Sequence, residues 1–372
     1  MKIYFIAGES SGDAHAVVLM RDLRSIRPDI EFFGVGGPKM RAVAGAHLYE
    51  WTQEAVVGLW DVLVKYAYFR TQFYRMYEEI CRLQPDAVVF VDYPGFNLRL
   101  AKYLHRRGFS RKLIYYISPQ VWAWNRSRIP RMAKFLDLMM CIFPFEKALY
   151  EASGLRTEFV GHPMIEELAG HSVSGKRDST LIGLFPGSRE REVKRIFPIL
   201  LKAADLLRHR DSAIRFAAAA ASEKLRDLMS TIAEEAGFRG LAIGLKNSTE
   251  LMQRCSVGIV ASGTATMESS FFRLPFVLVY KVSWVTYLAG RILVRVDYLG
   301  MPNILAGKQI IPEFIQHDAK PVSIANAAWD LYSDPEKRRT MIQAMDCVIA
   351  TLGKPGGGKR AAQVLAEELE RG

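Results

Sequence analysis

The feature that most constrains the fold is an alternation of short apolar segments with amphipathic ones along nearly the whole chain. The apolar segments are rich in β-branched and aromatic residues, and the segments between them have helical periodicity, a pattern typical of βα units around a parallel sheet. We predict two doubly wound parallel sheets in an α/β fold. Strands of the first are expected near 3–7, 31–35, 87–92, 112–118, 138–143 and 156–160, and of the second near 180–185, 213–220, 241–245, 257–262 and 276–281.

The length of 372 residues exceeds what one hydrophobic core usually serves, so two domains are expected. His162-Pro163 and the polar segment 170–179 interrupt the apolar periodicity and mark the predicted linker. We place one Rossmann-like domain at 1–165, a second at 175–345 and a helical tail at 346–372.

The chain carries a net charge of +11, from 50 Lys and Arg against 39 Asp and Glu. This excess favours anionic partners such as phosphorylated substrates, acidic lipid surfaces or nucleic acid. The basic residues are dispersed and no nucleic-acid motif occurs, so we predict no nucleic-acid partner. The four cysteines are scattered singly, which favours a reduced compartment and gives no zinc spacing.

No segment resembles a membrane span or a signal peptide. The apolar start at 1–7 runs directly into the acidic and glycine-rich 8–13, and the long apolar stretch 271–299 is interrupted by arginine and lysine. We therefore predict that the chain does not cross a membrane.

Ligands of open α/β sheets bind beyond the carboxyl ends of the strands, where this chain has polar and glycine-rich loops. The loop after the first strand offers Gly8, Glu9, Ser10 and Gly12 to a phosphate or a sugar. The same residues match the G-x-S-x-G nucleophile elbow, which would make Ser10 the nucleophile of a hydrolase, although no earlier strand could supply the oxyanion-hole loop. A plain tight turn is the third interpretation.

Asp92 ends the third predicted strand, just before a turn and a helix, and Asn97 in the same segment is a candidate contact to the acceptor or its sugar. A partly desolvated carboxylate at this position suits a general base that deprotonates an attacking hydroxyl. The alternative is that Asp92 only caps the helix or holds the turn.

The segment 118–126 combines aromatic and polar residues, with Gln120 and Trp122 as candidate contacts to a phosphorylated glycolipid. Packing of Trp122 in the core is the alternative interpretation.

Two loops of the second predicted domain suggest a nucleotide site. Gly187, Ser188 and Arg189 open a helix and favour a diphosphate, because backbone N–H groups and a guanidinium converge there. A second loop provides small and hydroxylated residues followed by a carboxylate suited to ribose hydroxyls: Ser262, Gly263, Thr264 and Glu268. The Gly-Lys-Ser/Thr ending of a Walker A loop is absent, so ATP hydrolysis is not predicted.

Further along, Asn303, Glu313 and Gln316 are candidate nucleotide contacts, and Pro312 is predicted to start a short helix. No Asp-x-Asp motif is present, so we predict a metal-independent reaction with no cofactor.

Read together, these segments resemble the lipid A disaccharide synthase family. The strings GESSGD, DYPGFN, SPQVWAW, FPFEKALY, GHP, LFPGSREREV, ASGTATMES and PNILAGKQIIPEFIQ occur in that order. The resemblance implies a GT-B fold, two Rossmann-like domains facing across a cleft, with the acceptor and the membrane at the first domain and the UDP-sugar at the second. It implies an inverting transfer from UDP-2,3-diacylglucosamine to 2,3-diacylglucosamine 1-phosphate. The products would be UDP and the β-1,6-linked disaccharide 1-phosphate of lipid A and lipopolysaccharide biosynthesis.

By the same resemblance, Asp92 matches the family's essential aspartate, Arg189 and Glu268 match positions associated with UDP, and Asn303 lies in the Pro-Asn motif. Two positions depart from the family pattern: Ser10 stands where many members have Ala, and Gly95 stands where some have a second acidic residue. The second departure leaves Asp92 as the only carboxylate of its loop.

Acylated substrates lie in a bilayer, so the resemblance implies a cytoplasmic enzyme that is peripheral on the inner membrane. Aromatic and basic residues recur at helical spacing over 58–80, typical of an interfacial helix. Candidate acyl or membrane contacts are Trp60, Leu63, Tyr66, Phe69 and Phe73. A core helix with an aromatic buried face is the alternative. A sugar-nucleotide epimerase or hydrolase on the same scaffold would leave this helix and the segment 118–126, the tryptophan loop, unexplained.

Overall fold

A computed structural model describes residues 1–51, 66–171, 176–284, 287–288 and 296–371. The chain forms two compact units. The first comprises Met1–Glu166 together with Leu352–Gly372, and the second comprises Glu167–Thr351.

The first unit is built on a parallel sheet of seven strands in the order β3-β2-β1-β4-β5-β6-β7. Six of these strands are those expected from the apolar runs, and the short β3 at the sheet edge was not predicted. The strands are β1 Lys2–Ala7, β2 Glu31–Gly36, β3 Leu48–Glu50, β4 Ala87–Val91, β5 Lys112–Tyr116, β6 Leu138–Cys141 and β7 Thr157–Phe159.

Helices connect these strands and cover the sheet. They span Ser10–Ile26, Pro38–Ala44, Tyr66–Leu83, Pro94–Arg106, Val121–Trp124, Ile129–Met132, Pro144–Glu151 and Pro163–Ala169, with short 3₁₀ turns at Gly45–His47 and Arg126–Arg128. Every residue of β4 is buried. A parallel strand covered on both faces must be apolar throughout, which explains why the sequence shows it as a continuous apolar run.

The second unit repeats this architecture with six parallel strands in the order β10-β9-β8-β11-β12-β13. They are β8 Asp178–Phe185, β9 Arg215–Ala220, β10 Leu241–Leu245, β11 Cys255–Ala261, β12 Phe276–Tyr280 and β13 Glu313–Ile315. Its helices span Glu190–Arg210, Glu223–Glu235, Ser248–Arg254, Thr264–Phe271, Met301–Ala306, Pro321–Ser333 and Pro335–Thr351. The predicted α/β fold with two doubly wound parallel sheets is therefore confirmed.

The prediction that a short helix starts at Pro312 is wrong, because the residues after Pro312 form the edge strand β13. Glu313 and Ile315 pair with Leu278 and Tyr280 of β12 in a parallel register. The Pro312 carbonyl accepts a hydrogen bond from the Leu278 N–H at 2.9 Å. Proline is tolerated next to an edge strand since its missing N–H removes no ladder bond there.

The predicted helical tail ends in the helix Gly357–Glu370, which packs on the helix Ser10–Ile26 of the first unit. Its buried Glu368 forms ion pairs with Arg156 and, at 3.2 Å, with Lys112. Arg360 donates to the Val160 carbonyl at 3.0 Å. The chain thus returns to complete its first unit.

Within the described residues, none of the helices has the length and apolarity needed to span a bilayer.

Candidate functional site

The strand orders place two pairs of predicted loops at the points where the winding of each sheet reverses. In the first unit β1 and β4 are neighbours, so the loop at Gly8 lies beside Asp92. In the second unit β8 and β11 are neighbours, so the loop at Gly187 lies beside Ser262. Crevices at such switch points are where open α/β sheets bind ligands.

Asp92 directly follows β4 in a backbone conformation that is uncommon for a residue with a side chain. Its φ is +48°, and φ of the next residue, Tyr93, is +50°. The Asp92 N–H donates to the Tyr116 carbonyl at 3.0 Å. Consecutive left-handed residues outside glycine are costly, and such conformations concentrate at functional sites.

The Asp92 carboxyl is half-buried, and burial is the main cause that raises its pKa. The charge of Glu9, on the neighbouring loop, raises the pKa further, while a backbone hydrogen bond from Tyr93 lowers it. A carboxylate with a raised pKa is a stronger proton acceptor than an exposed one.

The loop after β1, which was predicted to bind a phosphate or a sugar, contains both buried and exposed residues. Glu9 and Ser10 are exposed at the start of the helix Ser10–Ile26, whereas Gly8 and Gly12 are buried. A Cβ atom on Gly8 would lie 2.3 Å from the Tyr93 ring, so glycine is required there for the approach of that ring rather than of a ligand.

Asp13, in the first turn of the helix Ser10–Ile26, caps the helix Pro38–Ala44 of the next βα unit. Its carboxylate accepts hydrogen bonds from the N–H groups of Gly37, Lys39 and Met40 at 2.9 to 3.2 Å. We assign it a structural role.

The tryptophan loop is anchored by Glu146, a fully buried carboxylate that the sequence analysis did not single out. Glu146 accepts hydrogen bonds from Trp122 Nε1 at 2.8 Å, from Ser118 Oγ at 2.6 Å and from the Phe143 N–H at 3.1 Å. Burial raises its pKa to about 7, against the lowering effect of these bonds. Trp122 is itself buried, while Gln120 is exposed at the tip of the loop.

In the second unit, the two predicted nucleotide loops line one cavity of ≈ 350 Å³. Seven predicted residues lie on its wall: Gly187, Ser188, Arg189, Ser262, Gly263, Thr264 and Glu268. Other lining residues were not predicted from the sequence: Ala219 and Ala220 end β9, Ala221 follows it, and Lys246 and Ser248 come after β10. Lys246 comes directly after the apolar strand β10, and this position could have identified it as a candidate ligand contact.

Two glycines shape this cavity through their backbone. Gly187 has φ +108°, and a Cβ atom there would lie 2.6 Å from the Glu192 carboxylate. Gly263 has φ +152° but faces open space. Such backbone leaves N–H groups accessible to an anion.

The charged residues of the cavity differ in burial. The Arg189 side chain is 75% exposed and bonds Glu192 at 3.1 Å. Glu268 is half-buried, and burial is the main cause that raises its pKa. The charge of Glu167 raises this pKa further, while a hydrogen bond from the Thr264 side chain lowers it.

The three predicted contacts around Pro312 do not line this cavity, and their polar groups bond within the protein. Asn303 is fully buried, and its Oδ1 accepts from the N–H groups of Ile310 and Ile311 at 2.8 and 2.9 Å. Its Nδ2 donates to Glu313 at 2.7 Å. Gln316 donates to and accepts from the Val282 backbone. These contacts support structural roles.

The predicted membrane helix is described from Tyr66 to Leu83. Trp60, Leu63 and the side chain of Tyr66 lie outside the described residues. Phe69 and Phe73 are partly buried, and their rings pack edge-on against Trp51 and Phe96 respectively. The exposed side chains of this helix include Arg70 and Tyr74, the latter 42% exposed.

Within the described ranges, no group of three or more His, Cys, Asp and Glu side chains could hold a metal ion.

Comparison with known proteins identifies the family of this chain. The model of the Lipid-A-disaccharide synthetase family matches residues 3–367. The chain belongs to the lipid-A-disaccharide synthase family. The synthase of Persephonella marina is 38% identical over 381 residues, which cover 98% of both chains. That of Geobacter sulfurreducens is 36% identical over 379 residues, 99% of this chain and 97% of the relative.

Solved structures show the same fold at low sequence identity. The S. aureus MnaA-UDP co-structure superposes with a TM-score of 0.65 at 12% identity, covering 99% of this chain and 97% of that one. CalG4, the calicheamicin glycosyltransferase, gives 0.59 at 14% identity, covering 100% and 98%. The GT-B fold expected from the resemblance is confirmed. The chain is accordingly a UDP-sugar glycosyltransferase of lipid A disaccharide synthesis, as predicted.

Proposed function

We propose that this member of the family transfers 2,3-diacylglucosamine from UDP-2,3-diacylglucosamine to 2,3-diacylglucosamine 1-phosphate with inversion, and that Asp92 is the general base. The Asp92 carboxylate takes the proton of the acceptor 6-hydroxyl while that oxygen attacks the anomeric carbon. The bond between this carbon and the UDP oxygen breaks, and its electron pair leaves with UDP.

The observation that carries the proposal is the position and environment of Asp92. The residue follows a central strand at the switch point of its sheet, and burial together with Glu9 raises its pKa. A catalytic base works best when its pKa lies near the operating pH. Glu9 and Ser10, exposed on the adjacent loop, are proposed acceptor contacts with Gln120.

The second unit is proposed to hold UDP in the cavity between Gly187 and Glu268. The N–H groups near Gly187 and Gly263, with Arg189, would bind the diphosphate and stabilise its departing charge without a metal. Glu268 would accept hydrogen bonds from ribose hydroxyls. The neighbouring Lys246 adds a second cation to the wall.

We also propose that the enzyme works at the cytoplasmic face of the inner membrane, because both substrates are acylated. The excess of basic residues and the exposed Arg70 and Tyr74 support contact with an anionic bilayer surface. Phe69 and Phe73 are better explained as packing residues of the first unit.

The test measures UDP release by the purified protein in detergent and EDTA, with donor alone and with donor plus acceptor. Release that depends on the acceptor is expected. Release at the same rate without acceptor would indicate a hydrolase instead, and dependence on an added divalent cation would contradict the proposed metal-free stabilisation of UDP.

A further inference from the structure

Two buried polar side chains converge on the backbone of Asp92 rather than on its carboxyl. The Tyr115 hydroxyl donates a hydrogen bond to the Asp92 carbonyl oxygen at 2.6 Å. Asn97 Nδ2 donates to the same oxygen at 2.7 Å, and to the Val91 carbonyl at 3.3 Å. One carbonyl oxygen thus receives two side-chain donors, which saturates both of its lone pairs.

Both donors are inaccessible to solvent, since Asn97 and Tyr115 are fully buried. Burial holds the pKa of Tyr115 above its usual range, so the hydroxyl retains its proton and remains a donor. Asn97 Oδ1 is buried with no hydrogen-bond partner in the described part of the chain. A buried oxygen without a hydrogen bond is unfavourable. We therefore attribute the presence of an amide at this position to the two hydrogen bonds that Nδ2 donates.

These bonds act at the point where the backbone is strained. Asp92 and Tyr93 both have positive φ, and a strained backbone persists only when its surroundings fix it. The Asp92 N–H is also bonded, to the Tyr116 carbonyl, and the Tyr93 ring lies against Gly8. The peptide that carries the carboxylate is therefore held on both sides.

We infer that Asn97 and Tyr115 are positioning residues, which lock the left-handed backbone of Asp92 and so fix the direction in which its carboxylate meets the acceptor hydroxyl. This inference rests on the proposed role of Asp92 as base. It replaces the sequence-based prediction that Asn97 binds the acceptor sugar, because the Asn97 side chain is buried and its Nδ2 is bonded to backbone.

The experiment compares Tyr115→Phe and Asn97→Leu with wild type by steady-state UDP release. Both variants remove donors without adding a charge. Misplacing a catalytic group by about 1 Å costs on the order of a hundredfold, so we expect kcat to fall about ten- to hundredfold. The KM values for donor and acceptor should stay within about twofold, since neither side chain is placed to touch a substrate.

Tyr4→Phe is the matched control. Tyr4 is an equally buried tyrosine on β1, which flanks β4 on the side opposite β5, and its hydroxyl donates at the same distance, 2.6 Å, to Glu79. Its loss should lower stability as much as the loss of the Tyr115 hydroxyl does, and leave kcat within about twofold of wild type.

The same substitutions in an Asp92→Asn background separate positioning from general damage. If Tyr115 acts through Asp92, then Tyr115→Phe adds no further loss to the residual rate. A further tenfold loss there, or wild-type kcat in Tyr115→Phe while Asp92→Asn is inactive, would overturn the inference. Full activity of Asp92→Asn itself would instead overturn the proposed base, which is a different result.

Discussion

The candidate ligand-binding loops of the two units differ in how their backbone and side chains are held. At Asp92, in the first unit, a strained backbone accepts hydrogen bonds from buried side chains, and the carboxyl proposed as the base is half-buried. At Gly187 and Arg189, in the second unit, the loop relies on glycine backbone, and the guanidinium is mostly exposed with one acidic neighbour. We call the hydrogen-bonded segment at Asp92 the rigid region, and the exposed segment at Gly187 and Arg189 the open region.

The difference follows from what each region is proposed to do. A base must meet one proton along one direction, so a small error in position is costly. A diphosphate is bound by several N–H groups and a cation, which tolerates adjustment of each contact. The rigid region is therefore expected to govern kcat, and the open region to govern nucleotide affinity.

The largest effect is expected for Asp92→Asn, which keeps the shape of the side chain and removes the base. Asparagine tolerates the left-handed backbone, so the fold should persist. Turnover should fall by about 10³-fold, within the range that general bases contribute. The measurement is acceptor-dependent UDP release beside a thermal melt. A variant that melts like wild type but keeps more than a tenth of its turnover would refute the assignment.

The pH dependence gives a second test of the rigid region. Because burial and Glu9 raise the pKa of Asp92, kcat/KM should fall as the pH drops through that raised value. Glu9→Gln removes one raising charge, and the acid limb should therefore move to lower pH. A pH–rate profile compares the two proteins, and an unmoved limb would show that Glu9 does not act on the essential group.

In the open region, Arg189→Met should weaken UDP binding about ten- to hundredfold, since charge-assisted bonds to phosphate are lost. The melting temperature should hardly change, because the side chain is mostly exposed. Arg191→Met is the control, as Arg191 is exposed in the first turn of the helix that follows Arg189 and does not line the cavity. Calorimetric titration with UDP measures both, and equal affinities would remove Arg189 from the site.

A stability effect is expected at Glu146, which anchors the tryptophan loop. Its pKa is raised to about 7 in the fold, so its contribution to stability is present below pH 4.5 and is lost as the pH rises to about 7. This change amounts to roughly 3 kcal/mol. Glu146→Gln should flatten the pH dependence of the free energy of unfolding over this range. An unchanged slope would mean that Glu146 does not titrate there.

The smallest effect concerns the surface of the helix Tyr66–Leu83. Arg70→Ala with Tyr74→Ser should weaken binding to vesicles of anionic lipid about fivefold, at roughly 1 kcal/mol per basic residue. Phe73→Ser should lower the melting temperature instead, since its ring packs on Phe96 and Tyr103. Vesicle flotation separates the two effects. Unchanged flotation of the first variant would exclude this face from membrane contact.

Much of the fold could be predicted from the sequence because buried parallel strands are apolar along nearly their whole length, as β4 is throughout and β11 is apart from Ser256. The second-unit cavity was predicted for a related reason, since its glycines and hydroxyls directly follow strand ends. The edge strand β13 was missed because it has only three residues and begins after a proline, a residue that also starts helices.

The roles of individual side chains were harder to predict than their location. Asn97 has an amide side chain of the kind that often contacts ligands. Its Nδ2 instead donates to the Asp92 carbonyl, which the left-handed backbone at Asp92 brings within reach. Glu146 lies 24 residues from Trp122, and no local pattern connects them. Such pairings depend on tertiary structure.

The most direct test of the division between the two regions is titration of UDP into wild type and Asp92→Asn in the absence of acceptor. If the base lies at one region and the nucleotide site at the other, the two Kd values should agree within about twofold while turnover differs by about 10³-fold. A loss of UDP affinity in Asp92→Asn greater than about tenfold would contradict this account, because it would place Asp92 in nucleotide binding rather than in chemistry.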